Sequence, residues 1–264
     1  MDLRLAGARV LVTGGASNIG RGIVHGFAAE GARVVICDID APQAEKVRTE
    51  ALERGAAEAE VVVEDLTEET AARRAVARLA ERWGGIDVLV NNAGWSVPGF
   101  IAEDTDRARW QRLVEVNLFS AIACTQAALE PMRAAGTGAV VFIASDAAFG
   151  EIRQGVYGAT KAALLALART VAKEHGRHGI TSNVVCPGLV LPESPDAVGA
   201  DSLWAVGRDA VFNDRQIESL RRTVPLGRLT TAEDVADAVV WISSRAARQV
   251  TGQVLSVSGG YSMP

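Results

Sequence analysis

Tyr157 and Lys161 lie four residues apart in Val156-Tyr157-Gly158-Ala159-Thr160-Lys161, and Ser145 stands twelve residues upstream. The chain holds 2 tyrosines and three lysines, Lys46, Lys161 and Lys173. In so sparse a background a chance Tyr-x-x-x-Lys has a probability on the order of a few per cent. On a helix, positions i and i+4 share a face, so the phenol and the ammonium can act on one site. A phenol with a pKa of ~10 is a poor acid–base catalyst at neutral pH, and an adjacent cation lowers that value. The chemistry in view is proton transfer. Alone, the pair would better fit a half-buried tyrosine beside a solvated lysine.

Elements must position this pair, and short runs rich in valine and isoleucine supply them. Residues 9–13, 33–37, 60–63, 87–90, 139–143, 181–185 and 253–257 read as buried strands. Between them lie amphipathic stretches at 42–54, 68–83, 107–134, 155–175 and 231–244. Alternation of this kind predicts an α/β fold of one domain over residues 1–264, its parallel sheet covered on both faces through right-handed crossovers. Only residues 189–227 break the rhythm. With Pro192, Pro195, Gly199, Gly207, Trp204 and Phe212 they read as a long insertion, a lid over a site.

The 264 residues, 48% hydrophobic and with a mean hydropathy of +0.14, suffice for a large core. A net charge of -5 argues against nucleic acid or an anionic membrane as partner. No apolar run approaches the ~18 residues that span a bilayer. Met1-Asp2-Leu3-Arg4-Leu5 is not a basic segment followed by an apolar one, so no secretory leader is expected. Cys37, Cys124 and Cys186 sit in apolar segments without metal-ligand spacing. They predict reduced, buried thiols, no metal and a cytoplasmic location.

The first strand runs into Thr13-Gly14-Gly15-Ala16-Ser17-Asn18-Ile19-Gly20, and a helix follows. Glycines in such a turn let the backbone approach a pyrophosphate, which the helix N-terminus meets with unpaired N–H groups and a positive dipole. Gly14, Ser17, Asn18, Ile19 and Gly20 are therefore candidate cofactor contacts. Asp38 ends the second strand, where an acid accepts from the adenosine ribose and repels a 2′-phosphate. Position 17 is Ser, Asp38 is followed by Ile39 and Asp40, and no base is placed to offset the repulsion. NAD is expected over NADP. The alternative is that Asp38 merely caps the helix beginning near Pro42.

From Leu5 onward these motifs, in this order, resemble the short-chain dehydrogenase/reductase family of the small single-domain type. Its further marks are Asp65-Leu66, Asn91-Asn92-Ala93-Gly94, Asn117 and Pro187-Gly188. The resemblance implies a doubly wound, Rossmann-type sheet of seven strands and hydride transfer between a nicotinamide and an alcohol or ketone. Tyr157 would exchange the alcohol proton, and Lys161 would lower the phenol's pKa and hold the nicotinamide ribose. Ser145 would hold the reacting oxygen, and Asn117 a water that relays protons to Lys161. Asp65, Leu66, Asn92, Ala93, Gly94, Pro187 and Gly188 would complete the cofactor site. A homotetramer is implied as well.

Two positions depart from that pattern. Asn18 replaces the middle glycine, and asparagine is the residue with a Cβ that best tolerates left-handed backbone. Its amide is expected near the phosphates. After Pro187-Gly188 comes Leu189-Val190-Leu191-Pro192, without the usual threonine, which leaves the carboxamide to the Val190 backbone or to Ser194.

Trp95, Phe149, Ile152, Arg153 and Trp204 flank the proposed centre and are expected, with Ser145 and Tyr157, to meet the substrate. Ser96, Ala147 and Leu191 join them. Such a lining suits a ring or hydrophobic body carrying a secondary alcohol. Local wording, such as Asn92-Ala93-Gly94-Trp95 and Ile143-Ala144-Ser145-Asp146, resembles the branch of the family that oxidises alicyclic β-hydroxyacyl-CoA thioesters with NAD. Free cyclic or aryl alcohols and 3-oxoacyl thioesters remain open alternatives. So does an NAD-binding redox sensor without turnover, which would have no need of Ser145, Tyr157 and Lys161 together. A nucleotide-sugar epimerase would call for a different glycine spacing and a longer C-terminal region.

Overall fold

The valine- and isoleucine-rich runs become the strands of one parallel sheet. They are β1 (Arg9–Thr13), β2 (Arg33–Asp38), β3 (Glu58–Val63), β4 (Val88–Asn91), β5 (Gly138–Ile143), β6 (Ile180–Pro187) and β7 (Val254–Val257). The structure is a computed structural model that describes residues 2–199, 202–205 and 211–264. Among these the strand order is β3-β2-β1-β4-β5-β6-β7. Central strands are covered on both faces, which is why β1 and β4 are continuously apolar rather than alternating. The edges β3 and β7 are only partly covered.

Helices α1 (Asn18–Ala29) and α2 (Ala41–Glu53) lie on one face together with α8 (Ala232–Ser243). The other face carries α3 (Ala71–Trp83), α5 (Ser120–Ala135) and α6 (Gly155–His175). Phe27 and Ile23 of α1 are fully buried, each adding roughly 1.5–3 kcal/mol through removal from water. Helix α1 can approach α8 this closely because Gly22 has no side chain: a Cβ there would meet the Ala232 Cβ at 2.8 Å. At the sheet's opposite end, the Asp87 carboxylate accepts from Arg9 N, Nε and Nη2 at 2.8, 2.8 and 2.6 Å. This bidentate tie joins the starts of β1 and β4.

One helix was expected across 107–134. There are two, α4 (Arg107–Val114) and α5, joined without a break by a π-type turn at Glu115–Phe119. One inserted residue widens that turn and changes which side chains face inward. Among the described residues of the segment 189–227 lie a 3-10 turn at Pro195–Ala197 and a helix α7 (Asp214–Thr223). Gly207 and the rest of 206–210, with 200 and 201, lie outside the described residues. None of the helices among the described residues is long and apolar enough to cross a membrane.

Strand order reverses at β1, with β2 and β3 on one side and β4 to β7 on the other. Loops leaving the carboxyl ends of β1 and β4 therefore part in opposite directions and open a crevice, the usual ligand position in such sheets.

Candidate active site

The turn after β1 is stitched to the loop after β4. Asn92 Nδ2 donates to the carbonyls of Thr13 at 3.0 Å and Gly14 at 2.8 Å, and the N–H groups of Asn92 and Ala93 both donate to Thr13 Oγ1 at 3.0 Å. A Cβ at Gly20 would fall 1.9 Å from the Gly14 carbonyl oxygen, so no other residue fits this close return of the chain. Asn18 takes φ 41, the left-handed conformation expected of it. Its amide departs from expectation: Nδ2 donates to the Val190 carbonyl at 3.3 Å, bridging to the loop after β6 rather than facing the phosphate position. Ser17 precedes α1 without capping it by its side chain, which leaves the first-turn N–H groups available to an anion.

Asp38 lies beside this turn. Its Oδ2 accepts from Ala16 N at 2.9 Å and its Oδ1 from Asp40 N at 3.1 Å. Burial raises its pKa, and the backbone donors of Ala16, Asp40 and Ile39 oppose that rise. Capping of α2 falls to Asp40 instead, whose Oδ1 accepts from Gln43 N at 3.1 Å. Asp65 and Leu66 stand on the same cleft, with Asp65 Oδ1 engaged by Thr67 N and Oγ1.

The cleft has a volume of about 960 Å³ and runs from Asp38 and Asp65, past Gly14 and Gly94, to Tyr157 and Trp204. Its glycine turn, open helix end and ribose-side carboxylate fit a dinucleotide. Gly188 and Val190 line it. Pro187 does not, because it closes the buried strand β6.

Ser145, Tyr157 and Lys161 meet on its floor. Ser145 caps the 3-10 turn Asp146–Phe149, its Oγ accepting from Ala147 N at 3.2 Å. Helix α6 packs tightly under that turn, since a Cβ at Gly158 would lie 2.5 Å from the Ala147 carbonyl oxygen. Tyr157 is thereby held half-buried beside Ser145. Burial pushes its phenol up to about 12, and an interaction with the Ser145 hydroxyl pulls it back in part. Lys161 Nζ donates to the Ile143 carbonyl at 2.9 Å, and burial brings its pKa down to about 8. The lowering of the phenol by Lys161, expected from the sequence, is not what this geometry gives. The ammonium lies on the ring side of Tyr157, 5.8 Å from its centroid, and commits one of its N–H groups to a carbonyl.

Asn117 is presented by the π-type turn and buried beside Gly94. Its Oδ1 accepts from Trp95 N at 2.7 Å, and its Nδ2 donates to the Trp95 carbonyl at 2.8 Å. The amide assigned to a water relay is thus engaged on main chain. It fixes the segment that faces Lys161: a Cβ at Gly94 would stand 3.1 Å from Lys161 Nζ and 3.2 Å from Asn117 Oδ1.

Of the expected substrate contacts, Trp95, Ser96, Ala147, Ile152, Arg153 and Trp204 line the cleft. Phe149 and Leu191 do not. The 3-10 turn carries Phe149 a full turn past Asp146 and leaves its ring 42% exposed on the outside. Arg153 adopts φ 65 and lies over the Phe100 ring at 5.4 Å, while Arg112 lies over Trp95 at 5.6 Å. Unforeseen contributors include Arg112, Gln154, Phe212, Val224 and Tyr261. Tyr261 arrives from beyond β7, and its hydroxyl donates to Glu151 Oε2 at 2.7 Å. Asp146 was also missed as a site feature. It is buried, its Oδ1 accepts from Ser262 Oγ, its Oδ2 has no partner, and burial raises its pKa to about 6. Its place directly after Ser145 was the available signal.

A family model described as enoyl-(acyl carrier protein) reductase matches residues 14–262. Sorbitol dehydrogenase of Cereibacter sphaeroides is 35% identical over 260 residues, which covers 98% of both chains. Cis-4-hydroxycyclohexanecarboxylate dehydrogenase of Sinomonas cyclohexanicum is 36% identical over 252 residues, 95% of both. Among solved structures, one from Beutenbergia cavernae matches with a TM-score of 0.87 and 34% identity over 99% of both chains. That protein is described as a candidate NAD(P)-dependent gluconate 5-dehydrogenase, with NADP bound at low occupancy.

Proposed function

The chain belongs to the short-chain dehydrogenase/reductase family, and from that premise we propose that it interconverts a secondary alcohol and a ketone, with NAD preferred to NADP. The observation that carries this proposal is the meeting of Ser145, Tyr157 and Lys161 on the floor of a dinucleotide-sized cleft. A bound nicotinamide would supply the hydride acceptor or donor. The Tyr157 phenol receives the alcohol proton in oxidation and returns it in reduction. Ser145 holds the reacting oxygen beside that phenol. Lys161 holds the nicotinamide ribose, and Asn117 positions Gly94 and Trp95 opposite it. Gly14, Ser17, Ile19, Gly20, Ala93, Gly188 and Val190 form the cofactor's wall, with Asp38 on the ribose hydroxyls and Asp65 and Leu66 at the adenine.

Trp95, Ile152, Trp204 and Phe212 make a hydrophobic substrate end, with Arg112 and Arg153 at its edge. This combination favours a cyclic or β-hydroxyacyl substrate whose carboxylate or thioester faces an arginine. Residues 189–227 act as its lid. The half-exposed strand β7 and the exposed Trp241 and Phe119 support a homotetramer, and three buried free cysteines suit the cytoplasm. Spectrophotometric NAD reduction across hydroxyacyl-CoA thioesters, cyclic alcohols and aryl carbinols tests the reaction and selects the substrate class. No NADH from any of them, alongside tight NAD binding, would favour a redox sensor instead.

A further inference from the structure

The first part of the lid is fastened to the Asp38 end of the cleft. The Asp196 carbonyl accepts from Gln43 Nε2 at 3.0 Å and from Lys46 Nζ at 2.9 Å, both on α2. Three residues later Gly199 N donates to Ser17 Oγ at 3.4 Å. Gly199 also lies so close to Asp40 that a Cβ would stand 2.5 Å from Asp40 Oδ2. Ser17 and Asp40 are the neighbours of Asp38 in space, since its carboxylate rests on the N–H groups of Ala16 and Asp40. A substituent on the 2′ oxygen of a ribose held by Asp38 would project into the corner bounded by position 17, residues 39–40 and this strap. A 2′-phosphate needs room there and a cation to receive it. The strap walls that corner at Gly199 and narrows the room there, and its Asp196 carbonyl engages Lys46.

We infer that residues 194–199 form a second cofactor-discriminating element, which acts with Asp38 to close the ribose end to 2′-phosphorylated dinucleotides. This rests on the preference for NAD proposed above and adds a physical term to it. Asp38 repels a phosphate by charge, an effect that salt weakens. The strap excludes it by volume, which salt does not change. The two contributions are therefore separable.

Calorimetric titration with NADH and NADPH, without substrate, measures the ratio of their dissociation constants. Gly199→Val lifts the strap from Asp40 and leaves Lys46 in place. Gln43→Ala with Lys46→Ala cuts the other fastening and forfeits the cation. Gly199→Val should narrow the ratio about tenfold, the Gln43/Lys46 pair about threefold, with NADH affinity held within about threefold. Asp38→Ala alone should narrow it in part, and adding Gly199→Val should remove most of the remainder. The strap's share should persist in high salt. A ratio unchanged within about twofold in both strap variants, with wild-type preference for NADH intact, overturns the strap and spares the role of Asp38. Equal binding of the two dinucleotides by the wild-type chain overturns both.

Discussion

Lys161 is a buried cation whose pKa falls to about 8 from the ordinary 10.5 through loss of hydration. Between those values the folded chain binds fewer protons than the unfolded one, so stability there rises with pH. The penalty is complete below pH 8 and gone above about 10.5. Lys161→Met should therefore abolish turnover yet raise stability at pH 7 by roughly 1–3 kcal/mol, an advantage that fades toward pH 10.5. Thermal denaturation at both pH values checks this; a loss of stability at pH 7 would show that the Ile143 contact outweighs desolvation. Tyr157 shifts the other way, so its phenol is protonated at neutral pH and suited to donate a proton to a ketone. Oxidation rates should climb from pH 7 into the alkaline range while reduction rates stay level until the pH nears that of the phenol, as stopped-flow measurements in both directions would record. That Ser145, Tyr157 and Lys161 share one cleft was legible in the chain, because their types and spacing suit a single site. The state of their charges was not, because desolvation depends on what α6 packs against.

At the scale of elements, strands were legible and turns less so. Runs such as Val10-Leu11-Val12 are apolar throughout because both faces of β1 are covered, and that pattern survives in one dimension. A π-type turn differs from an α-helical one by a single residue, so 115–119 left no periodic trace, and the inward aim of Asn117 had no local cause to read. Side-chain stitching between loops was equally hidden. Asn92 joins the loop after β4 to the turn after β1, residues nearly eighty positions apart. Asn92→Ala leaves two partly buried carbonyls without this donor. It should cost about 1–3 kcal/mol and weaken NADH binding, readable by denaturant unfolding and by fluorescence titration. Unaltered stability would mean that Thr13 Oγ1, which receives Asn92 N and Ala93 N, holds the turn alone.

Over the whole molecule, strand order decides where chemistry can happen: the reversal at β1 opens one crevice, and motifs spread from Gly14 to Gly188 converge on it. The apolar end of the cleft is assembled from segments distant in sequence, Phe212 just before α7 and the C-terminal Tyr261 among them, so their place on it had no local signal to read. The partly covered edge strand β7 predicts sedimentation at about four times the 27.7 kDa chain mass; a monomer in solution would remove the tetramer. The most direct test of the catalytic assignment is the Tyr157→Phe variant, assayed for turnover and titrated with NADH in parallel. Loss of turnover by about a thousandfold or more with NADH affinity within about threefold of wild type is the expected outcome. Turnover retained by the phenylalanine variant would contradict it, since no proton could then be passing through that oxygen.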